Sequence, residues 1–332
     1  MAESPRPRRV EEDLDRLVER ILKRHTRSVA RAISLVEDGG ATQRELVRRL
    51  YGRTGRARVV GFTGPPGAGK STLVNRFATL CRERDETVAV LAVDPSSPYT
   101  GGAILGDRIR MQSLYLDRGT YIRSMATRGA MGGLARATHD AIDVLDAAGF
   151  DWVLVETVGV GQDEVDIVRS VDTVVVITVP GLGDDIQAIK AGIMEIADVF
   201  VINKADREGA DRTVRDLEGM LGLAEHHPEW PPPILKTIAS RGEGLEPLLE
   251  EIERHRGWLD DTGLLTDRRR ARLRLRVEAI LKERILRAAD QARGVAQEVD
   301  RSHREGHDPY QVAERLFAGA VAGSAGGEGR EG

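Results

Sequence analysis

The feature that most constrains this chain is a glycine-rich segment at residues 64–71, with the sequence GPPGAGKS. A short apolar run at 59–62 leads directly into it, and a segment with helical periodicity follows. The segment fits the pattern G-x-x-x-x-G-K-[ST] in the strand–loop–helix context that this pattern requires. Its glycines let backbone N–H groups turn toward phosphate oxygens, and the start of the next helix adds a positive dipole. The sequence therefore predicts a nucleotide-binding phosphate loop.

The residue types in this loop predict individual tasks. Lys70 is expected to reach the β- and γ-phosphates and to take part in catalysis, and the Ser71 hydroxyl is expected to bind Mg²⁺. The predicted nucleotide-binding residues of this segment are Gly64, Pro65, Pro66, Gly67, Ala68, Gly69, Lys70, Ser71 and Thr72.

The spacing of apolar residues divides the chain into four zones. Residues 1–56 have helical periodicity and predict an N-terminal helical arm. In 57–256, helical segments alternate with Val/Ile-rich runs at 59–62, 88–93, 152–155, 174–179, 199–202 and 234–235. Such runs are typical of strands buried on both faces, so we expect an α/β fold of the P-loop NTPase type with a mostly parallel, doubly wound sheet. Residues 257–317 predict a C-terminal helical arm, and the Gly-rich tail at 318–332 is expected to be disordered.

Charge and hydropathy argue against several classes of partner. The 332 residues include 49 Lys+Arg and 53 Asp+Glu, for a formal net charge of −4, which favours neither nucleic acid nor anionic membranes. Six arginines at 268–276 could form a nucleic-acid patch, but flanking acidic residues favour the solvated face of an amphipathic helix. The most apolar stretch is half the roughly 20 residues that a membrane span needs, and the N-terminus lacks a signal-peptide core. We expect a cytoplasmic protein that binds neither nucleic acid nor membrane.

A second motif predicts the base of the nucleotide. The run at 199–202 ends in Asn203, Lys204, Ala205 and Asp206, which fits N-K-x-D. An Asp carboxylate only accepts hydrogen bonds, so it can receive both the N1–H and the 2-amino N–H of guanine, whereas adenine offers no such pair. Asn203, Lys204 and Asp206 therefore predict GTP/GDP as the nucleotide. A supporting loop is expected after the next strand, where the candidates are Ala239, Ser240 and Arg241.

Two carboxylates stand at the ends of predicted strands. Asp94 follows the run at 88–93, and Glu156 follows the run at 152–155. The carboxyl ends of parallel strands lie beside the phosphate loop, so both residues are candidate Mg²⁺ ligands together with Ser71. A helix N-cap is the alternative for either residue alone. Glu156 also opens an acid-x-x-Gly tetrapeptide of the kind found in nucleotide-sensing switches.

Five segments taken together resemble the MeaB/ArgK family of GTPases. They are GFTGPPGAGKSTL, VDPSSPYTGGAILGDRIRM, ETVGVGQDE, TVPGLGDDIQAIKAGIMEIAD and NKAD. Members of this family are chaperones of cobalamin-dependent methylmalonyl-CoA mutase and belong to the SIMIBI class of P-loop proteins. The resemblance is dense over residues 9–255 and looser in the C-terminal helices.

The resemblance implies further roles. It adds Asp107 to Asp94 and Glu156 on the magnesium side, and it places a first switch at 94–111 and a second switch at 156–164. A third switch at 180–190 would relay the nucleotide state to the mutase. Lys190 would be the mobile catalytic lysine of that switch, and the C-terminal arm would form a homodimer. The sequence departs from the family at Ile238, where members commonly have Ser, although Ala239 keeps a backbone N–H for guanine O6. No glutamine follows Gly159 immediately, and Gln162 lies three residues on, so no water-positioning residue is assigned.

The function expected from these features is that of a GTP-hydrolysing chaperone. It would gate adenosylcobalamin loading and protection of an acyl-CoA mutase, with a slow intrinsic rate that the partner stimulates. A nickel-insertion GTPase is an alternative, but it needs soft or borderline ligands, and the chain has one cysteine, Cys81, and an isolated pair, His226-His227. A kinase of a transport-binding protein is a second alternative. The guanine motif at 203–206 argues against ATP as its phosphate donor.

Overall fold

The computed structural model describes residues 7–94, 114, 116–126, 133–157, 170–181, 196–222 and 229–325. The chain divides into two compact units, Met1–Thr266 and Asp267–Gly332. The first unit contains the phosphate loop and the sheet. The second unit is helical in its described part.

The first unit is built on seven described strands. They are β1 (Arg58–Thr63), β2 (Val88–Asp94), β3 (Thr120–Ala126), β4 (Trp152–Thr157), β5 (Thr173–Thr178), β6 (Val199–Asn203) and β7 (Ile234–Thr237). They form one sheet in the order β3-β2-β4-β1-β5-β6-β7, and all neighbouring strands are parallel. This arrangement confirms the predicted fold class.

The strand order determines where a ligand binds. β1 lies between β4 and β5, so the chain places later strands first on one side of β1 and then on the other. In open α/β sheets a ligand binds outside the carboxyl ends of the strands at such a reversal. The phosphate loop follows β1 directly and therefore lies at this point.

Helices of the first unit cover both faces of the sheet. The N-terminal helices are α1 (Pro7–Leu22), α2 (Thr26–Asp38) and α3 (Gly40–Tyr51), and those that follow are α4 (Lys70–Glu83), α5 (Gly133–Ala147), α6 (Ala210–Gly222) and α7 (Leu245–Asp261). Side chains of α4 and α7 share one apolar core with the sheet. Those of α1–α3 and α5 share the other, so the predicted N-terminal arm packs on the same core as the strands. The predicted boundary at residue 256 lies inside α7.

The edge strand β3 is absent from the sequence prediction. Tyr121 and Met125 in this strand are buried, but the intervening Arg123 donates to Ser34 at 3.2 Å and pairs with Glu37 of α2. A strand at the sheet edge has one neighbour and carries polar side chains, so it lacks the continuous Val/Ile run that marks the central strands. The sequence therefore indicates six of the seven described strands and misses β3.

The described second unit contains most of α8 (Leu264–Arg293), with α9 (Val295–Glu305) and α10 (Pro309–Ala325). The prediction of a disordered tail from residue 318 was wrong as far as Ala325, because α10 continues through 318–325. Four of those eight residues are alanine, the best helix former, and they outweigh the two glycines. Residues 326–332 lie outside the described part. Across the described helices, none combines the length and the apolar character needed to cross a membrane.

We predict that Phe77→Ala strongly destabilises the first unit. Phe77 of α4 is fully buried, with its ring 5.6 Å from those of both Phe62 and Trp152. Truncation of such a side chain leaves a cavity and lowers the free energy of unfolding by about 3–5 kcal/mol. Urea unfolding followed by tryptophan fluorescence measures this loss, because all three tryptophans lie in the first unit. The control is Tyr51→Ala in the same unit, at a side chain that is 44% exposed, where a comparable loss would contradict the assignment of the core.

Candidate functional site

The phosphate loop lies tightly against two neighbouring strands. Gly64 has a φ of +146°, and a Cβ at this position would lie 2.1 Å from the Ile177 carbonyl oxygen of β5. A Cβ on Gly69, where φ is +87°, would lie 2.6 Å from Asn203 Nδ2 of β6. Glycine is therefore required at both positions by backbone conformation and by space. These contacts fix the loop on the side of the sheet where β5 and β6 end.

Lys70 is folded back over the loop. Its side chain is buried, and its ammonium donates to the Gly64 carbonyl oxygen at 2.8 Å and to the Pro65 carbonyl oxygen at 3.0 Å. Two backbone carbonyls thus hold a positive charge inside the predicted phosphate cradle. The rest of the loop has a mixed environment: Ala68 is buried, whereas Pro66, Gly67 and the neighbouring Thr72 are exposed.

Two of the predicted Mg²⁺ ligands are brought together. The Ser71 hydroxyl in the first turn of α4 donates to Glu156 Oε1 at 2.6 Å, and Glu156 is buried in β4 next to β1. A hydroxyl and a carboxylate oxygen suit Mg²⁺, which binds through a few protein oxygens and keeps waters or substrate phosphates as its other ligands. The described residues contain no group of three or more His, Cys, Asp or Glu placed to hold a metal. Asp94 ends β2, but its side chain and all of Asp107 lie outside the described residues.

Asn203 connects the phosphate loop to the predicted guanine loop. It is buried at the end of β6, and its amide nitrogen donates to the Ala68 carbonyl oxygen at 2.8 Å. Its amide oxygen accepts from the Thr237 hydroxyl and from the Ala239 N–H, both at 3.1 Å. The Ala239 N–H, predicted to face guanine O6, thus donates to Asn203 in this structure. One side chain joins the loops after β1 and β7.

Lys204 and Asp206 follow Asn203 on the exposed side of the site. Lys204 adopts a φ of +57° and donates to the Gly67 carbonyl oxygen at 2.7 Å, which makes a second connection to the phosphate loop. Asp206 is exposed and lies 3.8 Å from the Arg241 guanidinium. The predicted base reader is therefore accessible to a ligand and close to a positive charge.

Sequence reasoning missed Arg76 and, although Thr237 opens the segment expected to support guanine, it missed the contact that Thr237 makes. Arg76 of α4 donates to the Ser240 carbonyl oxygen at 3.3 Å, and Thr237 supplies one of the hydrogen bonds to Asn203. Neither residue belongs to a motif, because each acts on a loop that is distant in sequence. The only available signal was their position, Arg76 on the phosphate-loop helix and Thr237 at the end of a short apolar run.

Several predicted residues lie outside the described part of the chain. These are Lys190, Gln162 and His226-His227, with most of the three predicted switch segments. Cys81 is described and lies fully buried in α4. Burial raises the pKa of its thiol, so the side chain stays protonated and is unsuited to metal binding.

Comparison with known proteins identifies the family. The family model described as "Methylmalonyl Co-A mutase-associated GTPase MeaB" matches residues 29–294. The chain belongs to the MeaB family of GTPases. This membership supports guanine-nucleotide binding and GTP hydrolysis as its general activity.

Relatives cover most of the chain. A predicted GTPase of Pyrococcus abyssi is 49% identical over 316 residues, which are 93% of this chain and 98% of the relative. The mouse mitochondrial "methylmalonic aciduria type A homolog" is 35% identical over 82% of this chain and 70% of its own length. A crystal structure of an LAO/AO transport system kinase aligns with a TM-score of 0.71 and 24% identity, over 95% of this chain and 98% of that one. That structure supports the fold alone.

We predict that Asn203→Ala weakens binding of every nucleoside triphosphate. The substitution leaves the Ala68 carbonyl, the Thr237 hydroxyl and the Ala239 N–H without their partner, at about 1–3 kcal/mol for each buried group that stays unsatisfied. GTP and XTP affinities, measured by calorimetry with Mg²⁺, should both fall at least tenfold (about 1.4 kcal/mol). Retained XTP affinity with lost GTP affinity would instead make Asn203 a reader of the base.

We predict that Asp206→Asn changes only the base preference. The amide nitrogen of Asn can donate to the 2-oxo group of xanthine, whereas guanine presents a donor at that position. GTP affinity should fall and XTP affinity should rise in the same calorimetric assay. A variant that still prefers GTP over XTP would show that Asp206 does not contact the base.

Proposed function

We propose that this chain is a GTP-hydrolysing chaperone that gates adenosylcobalamin loading and protection of an acyl-CoA mutase. Methylmalonyl-CoA mutase is the first candidate for this partner. The observation that carries this proposal is the match of residues 29–294 to the mutase-associated GTPase family. The name of the mouse relative, which refers to methylmalonic aciduria, points to the same metabolism. A phosphate loop joined to a candidate guanine loop in one site supports the GTPase part.

The proposed nucleotide site lies across the carboxyl ends of the strands. Guanine would bind at Asp206 and the loop after β7, and the phosphates would bind at residues 64–71. Lys70 already points its ammonium into the loop and would exchange its carbonyl partners for β- and γ-phosphate oxygens. The same ammonium would offset the charge that grows on the transferring phosphoryl group.

Ser71 and Glu156 would hold Mg²⁺, together with Asp94 and Asp107. Mg²⁺ would supply positive charge beside the β- and γ-phosphate oxygens. The Ser71–Glu156 hydrogen bond supports this assignment, because it places the hydroxyl and carboxylate oxygens side by side. Ser71 would then turn a lone pair toward the ion.

The strands beside the phosphate loop support a path for the nucleotide signal. β4 leads from Glu156 toward the predicted second switch, and β5 leads into Pro180 and Gly181, where the predicted third switch begins. The Ile177 carbonyl of β5 leaves no room for a Cβ on Gly64. A change in the phosphate loop therefore acts on β5 through direct contact, and we propose that 180–190 relays it to the mutase.

The proposed homodimer would form through the C-terminal arm. Apolar side chains of α8 are unusually exposed for their size, with Leu275 at 55%, Leu281 at 51% and Leu286 at 61%. Packing against the arm of a second copy would bury these side chains. We also retain residues 1–56, 57–256 and 257–317 as the proposed functional regions, although the first two share an apolar core.

Two other activities have weaker support. A kinase that uses ATP would not need the N-K-x-D carboxylate, and the solved kinase structure resembles this chain in fold only. A nickel-insertion GTPase would need ligands that the described residues do not provide, since Cys81 is buried and no His/Cys/Asp/Glu group is placed for a metal.

The direct test is transfer of adenosylcobalamin to apo-mutase in the presence of this protein. Transfer and subsequent protection of the mutase should differ between GTP, GDP and a non-hydrolysable GTP analogue. Lys70→Ala removes the cation at the phosphates and should abolish both tight GTP binding and the nucleotide dependence. Mutase loading that is the same with every nucleotide would contradict the proposed function.

We predict that Lys190→Ala separates nucleotide binding from the response to the mutase. GTP affinity should stay within about threefold (about 0.6 kcal/mol), and the intrinsic rate should change little, because the role proposed for Lys190 is in the stimulated transition state. The GTP turnover stimulated by the mutase should fall at least tenfold. The control is Lys23→Ala in the N-terminal arm, which removes an exposed lysine outside the proposed site. Equal stimulation of the Lys190 variant and the control would rule out Lys190 as the relay.

A further inference from the structure

The backbone of the predicted guanine loop, residues 238–243, is fixed from three directions. Asn203 accepts from the Ala239 N–H, and Arg76 donates to the Ser240 carbonyl oxygen. The loop also closes on itself, because the Ile238 N–H donates to the Glu243 carbonyl oxygen at 3.0 Å. The exposed side chain of Arg241, near the tip of this loop, is therefore freer to move than the backbone that carries it.

Arg241 lies between two carboxylates. Its Nη2 is 3.8 Å from Asp206 Oδ2, and its Nη1 is 3.8 Å from Glu243 Oε1. The side chain of Arg241 is 61% exposed, that of Asp206 40% and that of Glu243 57%. Both ion pairs are long and solvated, so each is weak and is screened by salt. The guanidinium can move from one carboxylate to the other at little cost.

Guanine needs both oxygens of the carboxylate that reads it. Its N1–H and its 2-amino group each donate to one oxygen, whereas hypoxanthine, the base of inosine, has the N1–H but lacks the 2-amino group. A guanidinium held near Oδ2 of Asp206 thus interferes with the second contact of guanine more than with the single contact of hypoxanthine.

We propose that Arg241 is a specificity-setting residue that competes with the guanine 2-amino group for Asp206. Binding of guanine displaces the guanidinium toward Glu243, which serves as its alternative acceptor. Arg241 therefore lowers the preference for guanine over hypoxanthine instead of enhancing it. This inference rests on the proposed role of Asp206 as the base reader.

The test is the ratio of GDP to IDP (inosine diphosphate) affinity, measured by calorimetry with Mg²⁺ on the full chain. The phosphates are the same in both ligands, so their contribution cancels and the ratio reports the 2-amino contact. Arg241→Gln should raise the ratio by about twofold to fivefold, the range expected for loss of one exposed ion pair. Glu243→Gln should lower it, because the guanidinium then has Asp206 as its remaining partner of the two. The matched control is Arg207→Gln, which removes an exposed positive charge next to Asp206 in sequence and should leave the ratio unchanged.

Salt gives a second readout. Raising NaCl from 50 to 300 mM weakens the Arg241–Asp206 pair, so the ratio should rise in the unaltered protein and stay constant in Arg241→Gln. A ratio that is unchanged or lower in Arg241→Gln overturns the inference. Suppose that the unaltered protein has a large ratio of GDP to IDP affinity and that Asp206→Asn abolishes it. The result then contradicts the role of Arg241 only, and Asp206 remains the proposed base reader. If the ratio is near one in the unaltered protein and Asp206→Asn does not change it, the result contradicts the proposed role of Asp206 as base reader.

Discussion

The buried amide of Asn203 is the interaction on which the geometry of the site depends most. Its nitrogen is bonded to the loop after β1 and its oxygen to the end of β7 and the loop that follows, so the phosphate and base regions are set at a fixed separation. A buried amide without partners is costly, and this requirement holds both loops in place. The bond from Lys204 to Gly67 repeats the connection on the exposed side. A ligand of fixed length between base and phosphates is suited to such a site.

A separate pair of hydrogen bonds holds the Lys70 side chain inside the phosphate loop. The Lys70 ammonium is buried and donates to two carbonyl oxygens of the loop. Carbonyl oxygens are weaker partners for an ammonium than phosphate oxygens are, because they carry partial charges only. Exchange of these carbonyls for phosphate oxygens would therefore be favourable in the proposed nucleotide complex. The Ser71–Glu156 pair is a similar case, since both oxygens can turn to a cation.

Much of this arrangement could be predicted from the sequence, and the parts that could not have a common cause. The central strands are Val/Ile-rich because both of their faces are covered. The phosphate loop has a glycine pattern because its backbone requires glycine at Gly64 and Gly69. The edge strand β3 has no such pattern, because Arg123 there pairs across to α2. Arg76 and Thr237 act through contacts between elements far apart in sequence, which no local motif records. The periodic and glycine-dependent features are local, whereas these contacts exist only after folding.

The placement of these residues also separates two tasks across the sheet. Asn203, Lys204 and Asp206 are on β6 or just after it, on one side of β1, whereas Glu156 is on β4, on the other side. GDP and GTP carry the same base, so contacts to guanine contribute equally to both and cannot shift an equilibrium between two conformations. In the proposed chaperone, switching would therefore derive from contacts near the γ-phosphate, and the residues proposed to make them are Lys70, Ser71 and Glu156. The hydrogen bonds of Asn203 support this division, because a guanine held on that side would anchor the nucleotide while the γ-phosphate acts on the residues near β4.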